Sequence, residues 1–131
     1  MSSRQDDEGM AAARRLRASA ERPRQELYLI YGQHSGDFLA LGRARQAHLD
    51  YLHQLDMNGE LVAAGPLLER EGTSYQGAGC FLIRAADYAA ALEVAHNDPY
   101  HREGVRENLV SSWLVSEGSL YQLVATQREQ L

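Results

Sequence analysis

Four short apolar segments and two longer amphipathic segments alternate along the chain, and their order restricts the fold to a small set. β-branched and aromatic residues predict strands over residues 27–33, 60–68, 79–84 and 107–115. Helical spacing predicts a long helix over residues 38–57, and Asp87 as an N-cap predicts a second helix that ends near Asn97. The resulting order, β-α-β-β-α-β, is that of the ferredoxin-like α+β fold, in which two helices cover one face of a four-stranded antiparallel sheet.

The second predicted strand contains Gly65 and Pro66. Because proline cannot donate a backbone hydrogen bond, this strand is expected at an edge of the sheet or next to a bulge. The uncovered face of the sheet needs a partner, and the strands carry the aromatic residues Tyr28, Tyr31 and Trp113. We therefore expect a homodimer in which two sheets pack face to face.

The segments on either side of this pattern differ from it in composition. Residues 1–26 are polar and rich in arginine and acidic residues, which is typical of a flexible or weakly helical arm. Residues 118–131 carry Leu120, Leu123 and Val124 at helical spacing and are predicted to form a helical extension. The folded domain is accordingly predicted over residues 27–117.

Composition excludes several functional classes. The chain has 131 residues, 13 basic and 18 acidic, with a net charge of -5, and every basic residue is arginine. Without lysine there is no Schiff-base or phosphate-loop lysine, and the acidic balance argues against nucleic-acid binding. The single cysteine, Cys80, allows neither an internal disulfide nor a cysteine metal cluster. No apolar run is long enough for a membrane span and no secretory signal is visible, so a soluble cytoplasmic protein is expected.

One face of the long predicted helix mixes apolar and ionisable residues. Its members, spaced by three or four positions, are Phe38, Leu41, Arg45, His48, Leu52 and Leu55. A cation and an imidazole on an inward face cost desolvation energy unless they are paired or line a pocket, so Arg45 and His48 are candidate site residues. The alternative is a hydrogen-bonded core histidine beside an arginine whose charged end reaches solvent.

Asp98 has two possible roles. It precedes Pro99, and this pair is typical of the N-cap and the first position of a short helix that runs toward Gly104. Alternatively, its carboxylate faces His48 and fixes the tautomer and orientation of the imidazole for proton transfer near neutral pH. Sequence spacing leaves both roles open.

The remaining candidates carry weaker signals. His96 and His101 flank the Asp98 segment, but without a second close pair of ligands no metal site is predicted, and both side chains are expected to be exposed. His34 is expected in solvent or at a pocket mouth, and Cys80 is expected to be a buried, inert thiol. The glycines match no nucleotide-binding motif, so no nucleotide cofactor is predicted.

Three motifs carry a resemblance to a known family. They are Arg45-Gln-Ala-His48-Leu49, then Gly59-Glu-Leu-Val-Ala-Ala-Gly65-Pro66, then Asn97-Asp98-Pro99-Tyr100 followed by Gly104-Val105. In their order and spacing, over about residues 27–115, the chain resembles the YciI-like (YCII-related) family. The resemblance implies a dimeric α+β barrel, no cofactor, and a pocket with a catalytic His-Asp pair, here His48 and Asp98. It also implies that the substrate contacts Arg45, Gly65, Pro66 and Tyr100.

The activities assigned within that family and among its barrel relatives are proton transfers on small cyclic acids or phenols, by halide elimination or lactone isomerisation. The first hypothesis is therefore a cofactor-free lyase or isomerase in which His48 is the general base, Asp98 stabilises the imidazolium and Arg45 binds the substrate anion. One alternative is a module that binds a small-molecule ligand in the same pocket without chemistry, and another is a purely structural dimer.

Overall fold

The structure of the chain is a computed structural model that describes residues 3–19 and 25–122. The helices in these ranges are α1 (Arg4–Ala18), α2 (Phe38–Met57), α3 (Tyr88–Asn97) and α4 (Pro99–Arg102). The strands are β1 (Gln25–His34), β2 (Leu61–Glu69), β3 (Ser74–Ile83) and β4 (Arg106–Val115). Residues 27–113 form one compact unit.

The four strands form one antiparallel sheet in the order β2-β3-β1-β4. In its centre Tyr28 of β1 pairs with Ile83 of β3, and Gly32 pairs with Gly79. This element order and strand order confirm the ferredoxin-like α+β fold predicted from the sequence. β2 lies at an edge of the sheet and its register with β3 shifts next to Pro66, as expected for a strand that contains proline.

The hairpin between β2 and β3 is longer than predicted. β3 begins at Ser74, which pairs with Glu69, whereas the sequence placed its start at residue 79. The chain reverses through Arg70, Glu71 and Gly72, which have φ angles of 51°, 60° and 83°. The prediction was wrong because the polar residues after the turn pair with an exposed edge strand, where they need no apolar side chains.

α3 begins at the predicted cap Asp87, and α2 begins at a cap, Asp37, that was not predicted. The side chain of Asp37 accepts a hydrogen bond from the Ala40 amide at 3.0 Å, and α2 ends before Gly59, which has a φ of 76°. The carboxylate of Asp87 likewise accepts from the Ala90 amide at 2.8 Å and begins α3. The bounds of α2 are those predicted from the spacing of its apolar residues.

The helices cover one face of the sheet. The buried core there comprises Tyr28, Ile30, Leu55, Phe81, Ile83, Ala91 and Ala95. Tyr28 is only 3% exposed, so its expected place on the uncovered face was wrong, because strand parity directs it toward the helices. Tyr31 and Trp113 have the opposite parity and are 37% and 44% exposed, as is Leu109 at 42%.

The two flanks are described only in part. α1 is a helix that opens with a capping box, in which Ser3 and Asp6 exchange side-chain and backbone hydrogen bonds. Residues 119–122 are helical, and the rest of the predicted C-terminal helix lies outside the described residues. No helix in the described ranges is both long enough and apolar enough to cross a bilayer. The division of the chain at residues 26 and 117 stays a prediction.

Candidate active site

The histidine of α2 and the aspartate between α3 and α4 are in direct contact. Nδ1 of His48 lies 2.7 Å from a carboxylate oxygen of Asp98. Both side chains are buried, with 6% of His48 and none of Asp98 exposed. The contact forms because α2 directs the inward-facing stripe that contains His48 toward α4, which begins immediately after Asp98.

Asp98 combines the two roles that the sequence left open. One carboxylate oxygen accepts from the Tyr100 amide at 3.1 Å as a helix N-cap and also faces His48. The other oxygen accepts from the side-chain amide of Asn108 at 3.0 Å. Burial acts to raise the pKa of Asp98, but the hydrogen bond and charge of His48, with the bonds from Asn108 and Tyr100, hold this pKa below its ordinary 3.8.

This geometry determines which nitrogen of His48 is available to a substrate. An ionised Asp98 can only accept hydrogen bonds, so Nδ1 carries the proton and donates it to the carboxylate. Nε2 then has a free lone pair and makes no hydrogen bond with a described residue. The ring of Tyr100 stacks on the imidazole, with centroids 3.9 Å apart and planes 15° apart, and fixes its orientation.

A cavity of about 550 Å³ lies next to His48. Its lining is formed by Arg45, His48, Leu49, Leu52, Ala64, Gly65, Pro66, Leu68, Tyr75, Cys80, Phe81, Tyr100 and Arg106. The structure thus brings five of the six site residues predicted from the sequence to one cavity, and Asp98 lies behind His48. This volume suits a small aromatic ligand, and no carboxylate lines the described part of the cavity.

The two arginines of the cavity differ in their surroundings. Arg45 is exposed on α2, whereas Arg106, at the start of β4, is only 7% exposed. Nε of Arg106 donates to the Gly77 carbonyl at 2.7 Å, and its Nη2 donates to the Tyr75 hydroxyl at 3.1 Å. The guanidinium carbon also lies 4.6 Å from the centre of the Tyr100 ring. Burial raises the pKa of the Tyr100 phenol above its ordinary 10.0, although Arg106 acts in the opposite direction.

Sequence reasoning missed Arg106 because it belongs to none of the recognised motifs. Its side chain crosses the sheet over two glycines of neighbouring strands. A Cβ atom at Gly32 would lie 2.7 Å from its Cδ, and one at Gly79 would lie 2.8 Å from its Nη1. Glycine inside a strand often marks a close approach of another group, and this was the available signal.

Asn108 was also missed, although it connects the site to β4. Its side-chain amide nitrogen donates to the Ala95 carbonyl at 2.8 Å and to Asp98 at 3.0 Å, and its residue is 4% exposed. The amide thus ties the end of α3 to the carboxylate that faces His48. Nothing in the spacing of the sequence distinguishes this asparagine from an ordinary strand residue.

The other histidines lie outside this cavity: His34 lines a second cavity of about 390 Å³, in keeping with one of its two expected places, and His101 is less exposed than predicted. His34 is partly buried against Phe38, with ring centroids 4.9 Å apart, and both of its ring nitrogens are buried without a described partner. His101 is partly buried because its Nδ1 accepts from the Asn108 amide at 3.1 Å. His96 is exposed as expected and stacks on His101. In the described ranges no cluster of three His, Cys, Asp or Glu side chains could hold a metal.

Cys80 also differs from its prediction. It was expected to be a buried thiol, but its side chain is partly exposed and it lines the cavity. Cys80 pairs with Tyr31 of β1, so its side chain shares the face of the sheet that the helices leave uncovered.

Comparison with known proteins identifies the family. The family model described as the YCII-related domain matches residues 27–114. The chain belongs to the YCII-related domain family. This match confirms the resemblance seen in the three motifs. The matched range includes every residue that lines the cavity.

Two solved structures resemble the YCII-related domain. The first is 5-chloro-2-hydroxyhydroquinone dehydrochlorinase from Burkholderia phenoliruptrix AC1100 in complex with 2,5-dihydroxybenzoquinone. It is 25% identical, the match covers 66% of this chain and 92% of that chain, and the TM-score is 0.56. The second is an antibiotic biosynthesis monooxygenase, 9% identical, with 72% of this chain and 99% of that chain covered and a TM-score of 0.43. None of the curated proteins matches the chain.

Proposed function

We propose that the YCII-related domain is a small enzyme that moves a proton on a phenolic or other small, cyclic, acidic substrate, with His48 as the general base. The observation that carries this proposal is the contact of 2.7 Å between Nδ1 of His48 and the buried Asp98 carboxylate. Because Nδ1 is bound to Asp98, Nε2 is the nitrogen of His48 that can accept a proton, and His48 lines the cavity. The dehydrochlorinase activity of the similar structure supports the same class of substrate.

In this mechanism Nε2 removes a proton from a hydroxyl or carbon of the substrate. The positive charge of the resulting imidazolium is stabilised by Asp98 through the Nδ1 hydrogen bond. In an elimination, the electron pair of the broken bond forms a double bond and a chloride departs with the electrons of the C–Cl bond. In an isomerisation, His48 returns the proton to another atom of the substrate. A general base contributes roughly 10²- to 10⁴-fold in rate, which is sufficient for substrates that are already acidic.

The test is a pair of histidine variants on α2. 5-Chloro-2-hydroxyhydroquinone, together with a panel of chlorinated phenols and lactones, serves as the substrate set, and chloride release and ring absorbance report turnover. His48→Gln should abolish turnover while still binding 2,5-dihydroxybenzoquinone. His53→Gln is the matched control, because His53 lies on the same helix, is exposed and does not line the cavity.

The outcomes separate the candidate functions. Loss of turnover in His48→Gln alone supports the proposed enzyme. A wild-type protein that binds these compounds but turns over none of them is a small-ligand-binding module. A protein that neither binds nor converts any of them, and gains no thermal stability from them, fits the structural alternative.

We also propose that the domain is a homodimer formed through the uncovered face of the sheet. Tyr31, Leu109 and Trp113 share this face by strand parity, and each is more than a third exposed in the single chain. Large aromatic and aliphatic side chains so exposed are typical of a surface that a second copy covers. Gly65 and Cys80, which line the cavity, pair with each other on β2 and β3 at one edge of this sheet.

A further inference from the structure

Arg106 is a buried cation without an acidic partner. It is 7% exposed, and within residues 3–19 and 25–122 no carboxylate forms an ion pair with it. Guanidinium has five N–H donors, of which one reaches the Gly77 carbonyl and one the Tyr75 hydroxyl. Burying a charge in this way is costly unless a partner arrives.

The guanidinium of Arg106 lines the cavity beside His48. Arg106 and His48 both line the cavity, and the ring of Tyr100 contacts both of them. The lining contains a second arginine and no carboxylate, although the chain as a whole carries a net charge of -5. The cavity is therefore a positively charged place in an acidic protein.

The space that Arg106 occupies is built into the sheet. A Cβ at Gly32 would overlap the stem of Arg106 and one at Gly79 would overlap its guanidinium, so the observed position of the side chain depends on both glycines. Glycine in a strand destabilises it relative to alanine, because its backbone loses more conformational freedom on folding. An arginine that were only structural could reach solvent along its flexible stem, as Arg45 does, without needing this space.

We infer that Arg106 binds the negative charge of the substrate, so that the substrate enters the cavity as an anion with a phenolate, enolate or carboxylate oxygen on the guanidinium. This inference rests on the proposed function, and it assigns to Arg106 the role that the sequence assigned to Arg45. A buried guanidinium interacts with an anion more strongly than an exposed one, which water and salt screen. An anionic oxygen there is also stabilised when His48 removes a further proton.

The test is a binding experiment that needs no turnover. Calorimetric titration compares the acidic ring 2,5-dihydroxybenzoquinone with hydroquinone, which is uncharged at pH 7. Arg106→Gln should weaken binding of the acidic ring by roughly ten- to a hundredfold, the usual effect of losing a charged hydrogen bond, and leave hydroquinone binding within about twofold. Arg106→Lys should lose less than Arg106→Gln. Arg45→Gln should lose less than about threefold, because its charge is exposed.

Gly79→Ala provides a second variant that keeps the arginine. Its Cβ displaces the guanidinium, so affinity for the acidic ring should fall without loss of charge. Gly42→Ala on α2 is the control, since nothing lies within 4 Å of a Cβ there. Circular dichroism of each variant verifies the fold.

Three results overturn the inference. They are a wild type that binds no acidic ring, an Arg106→Gln variant that loses both ligands equally, and an Arg45→Gln variant that loses as much as Arg106→Gln. The proposed function fails on a separate measurement, if His48→Gln retains full turnover or if the wild type shows no turnover. If the binding results still hold in that case, Arg106 is the anion-binding residue of a ligand-binding module.

Discussion

Asn108 holds the buried carboxylate of Asp98 from the side opposite His48. Its amide nitrogen lies 3.0 Å from one Asp98 oxygen, and the other oxygen faces the imidazole. The carboxylate that pairs with His48 is therefore also held by a residue of β4.

Asn108→Ala should lower activity through Asp98 without touching the substrate. The buried carboxylate loses a donor, so we expect the free energy of unfolding to fall by about 1–3 kcal/mol. Steady-state kinetics should show a lower kcat with KM nearly unchanged, because the cavity lining is intact. Asn58→Ala, at the exposed end of α2, is the control. An unchanged kcat in a stable Asn108→Ala protein would mean that His48 needs no support from β4.

The tautomer of His48 should depend on Asp98. In the wild type, ¹⁵N NMR should show the proton on Nδ1, because the carboxylate can only accept it. In Asp98→Asn the amide can also donate to the ring, so the Nε2–H tautomer should appear and activity should fall by roughly 10²- to 10⁴-fold. Identical nitrogen shifts in both proteins would reduce Asp98 to a helix cap.

Acid should destabilise the wild type more steeply than Asp98→Asn. The pKa of Asp98 is depressed in the folded state, so its contribution to stability is fully present above its ordinary value of 3.8 and is lost as the pH falls toward the folded value. In urea unfolding at pH 5, 4 and 3, the free energy of unfolding of the wild type should fall more steeply than that of Asp98→Asn, by up to about 1.4 kcal/mol per pH unit. If the free energies of unfolding of the two proteins change with pH in parallel, the pKa of Asp98 is not lowered in the folded state.

Tyr51 should produce the corresponding effect in alkali. Burial, with the charge of Asp98, raises the pKa of Tyr51 from 10.0 to about 12, and its hydroxyl donates to the Val94 carbonyl at 2.7 Å. The stability that this phenol contributes is therefore present below pH 10 and lost as the pH rises toward 12. Tyr51→Phe should cost about 0.5–1.5 kcal/mol at pH 7 and lose less stability than the wild type between pH 10 and 11.5 in urea titrations. Tyr88→Phe, at a tyrosine 48% exposed, is the control.

Trp113 reports on the proposed dimer. If two sheets pack through this face, light scattering should give twice the chain mass, and Trp113→Asp should give a monomer. Trp113→Ala should then cost about 3–5 kcal/mol of dimer stability. Met57→Asp, at a position 71% exposed at the end of α2, should stay dimeric. A wild-type monomer with red-shifted tryptophan emission contradicts the proposal.

Local signals predicted the elements and their order. α2 was predicted with its observed bounds because the helical spacing of its apolar residues and the stop signal at Gly59 are both local. The start of β3 was missed, since Ser74 is held by pairing with Glu69 rather than by its own preference.

The site was predictable only where a helical pattern or a family motif marks its residues. Resemblance pointed to His48 and Asp98, and the spacing alone could not bring them together. Arg106 required knowing that β4 lies beside β1 and that β1 lies beside β3, because its side chain crosses both. His34 was expected in solvent or at a pocket mouth, and sequence alone left both open because nothing local indicates the Phe38 ring that packs on it.

The fit of Arg106 over Gly32 and Gly79 imposes an order on sequence change. A Cβ at Gly79 overlaps only Arg106, at 2.8 Å, so replacing the arginine first removes this obstacle, whereas a Cβ at Gly32 would also lie 2.9 Å from Oδ1 of Asn108. Divergent relatives that lose this cation are therefore expected to have lost it before they acquired a side chain at the position of Gly79. A design that refills this space must likewise replace Arg106 before Gly79.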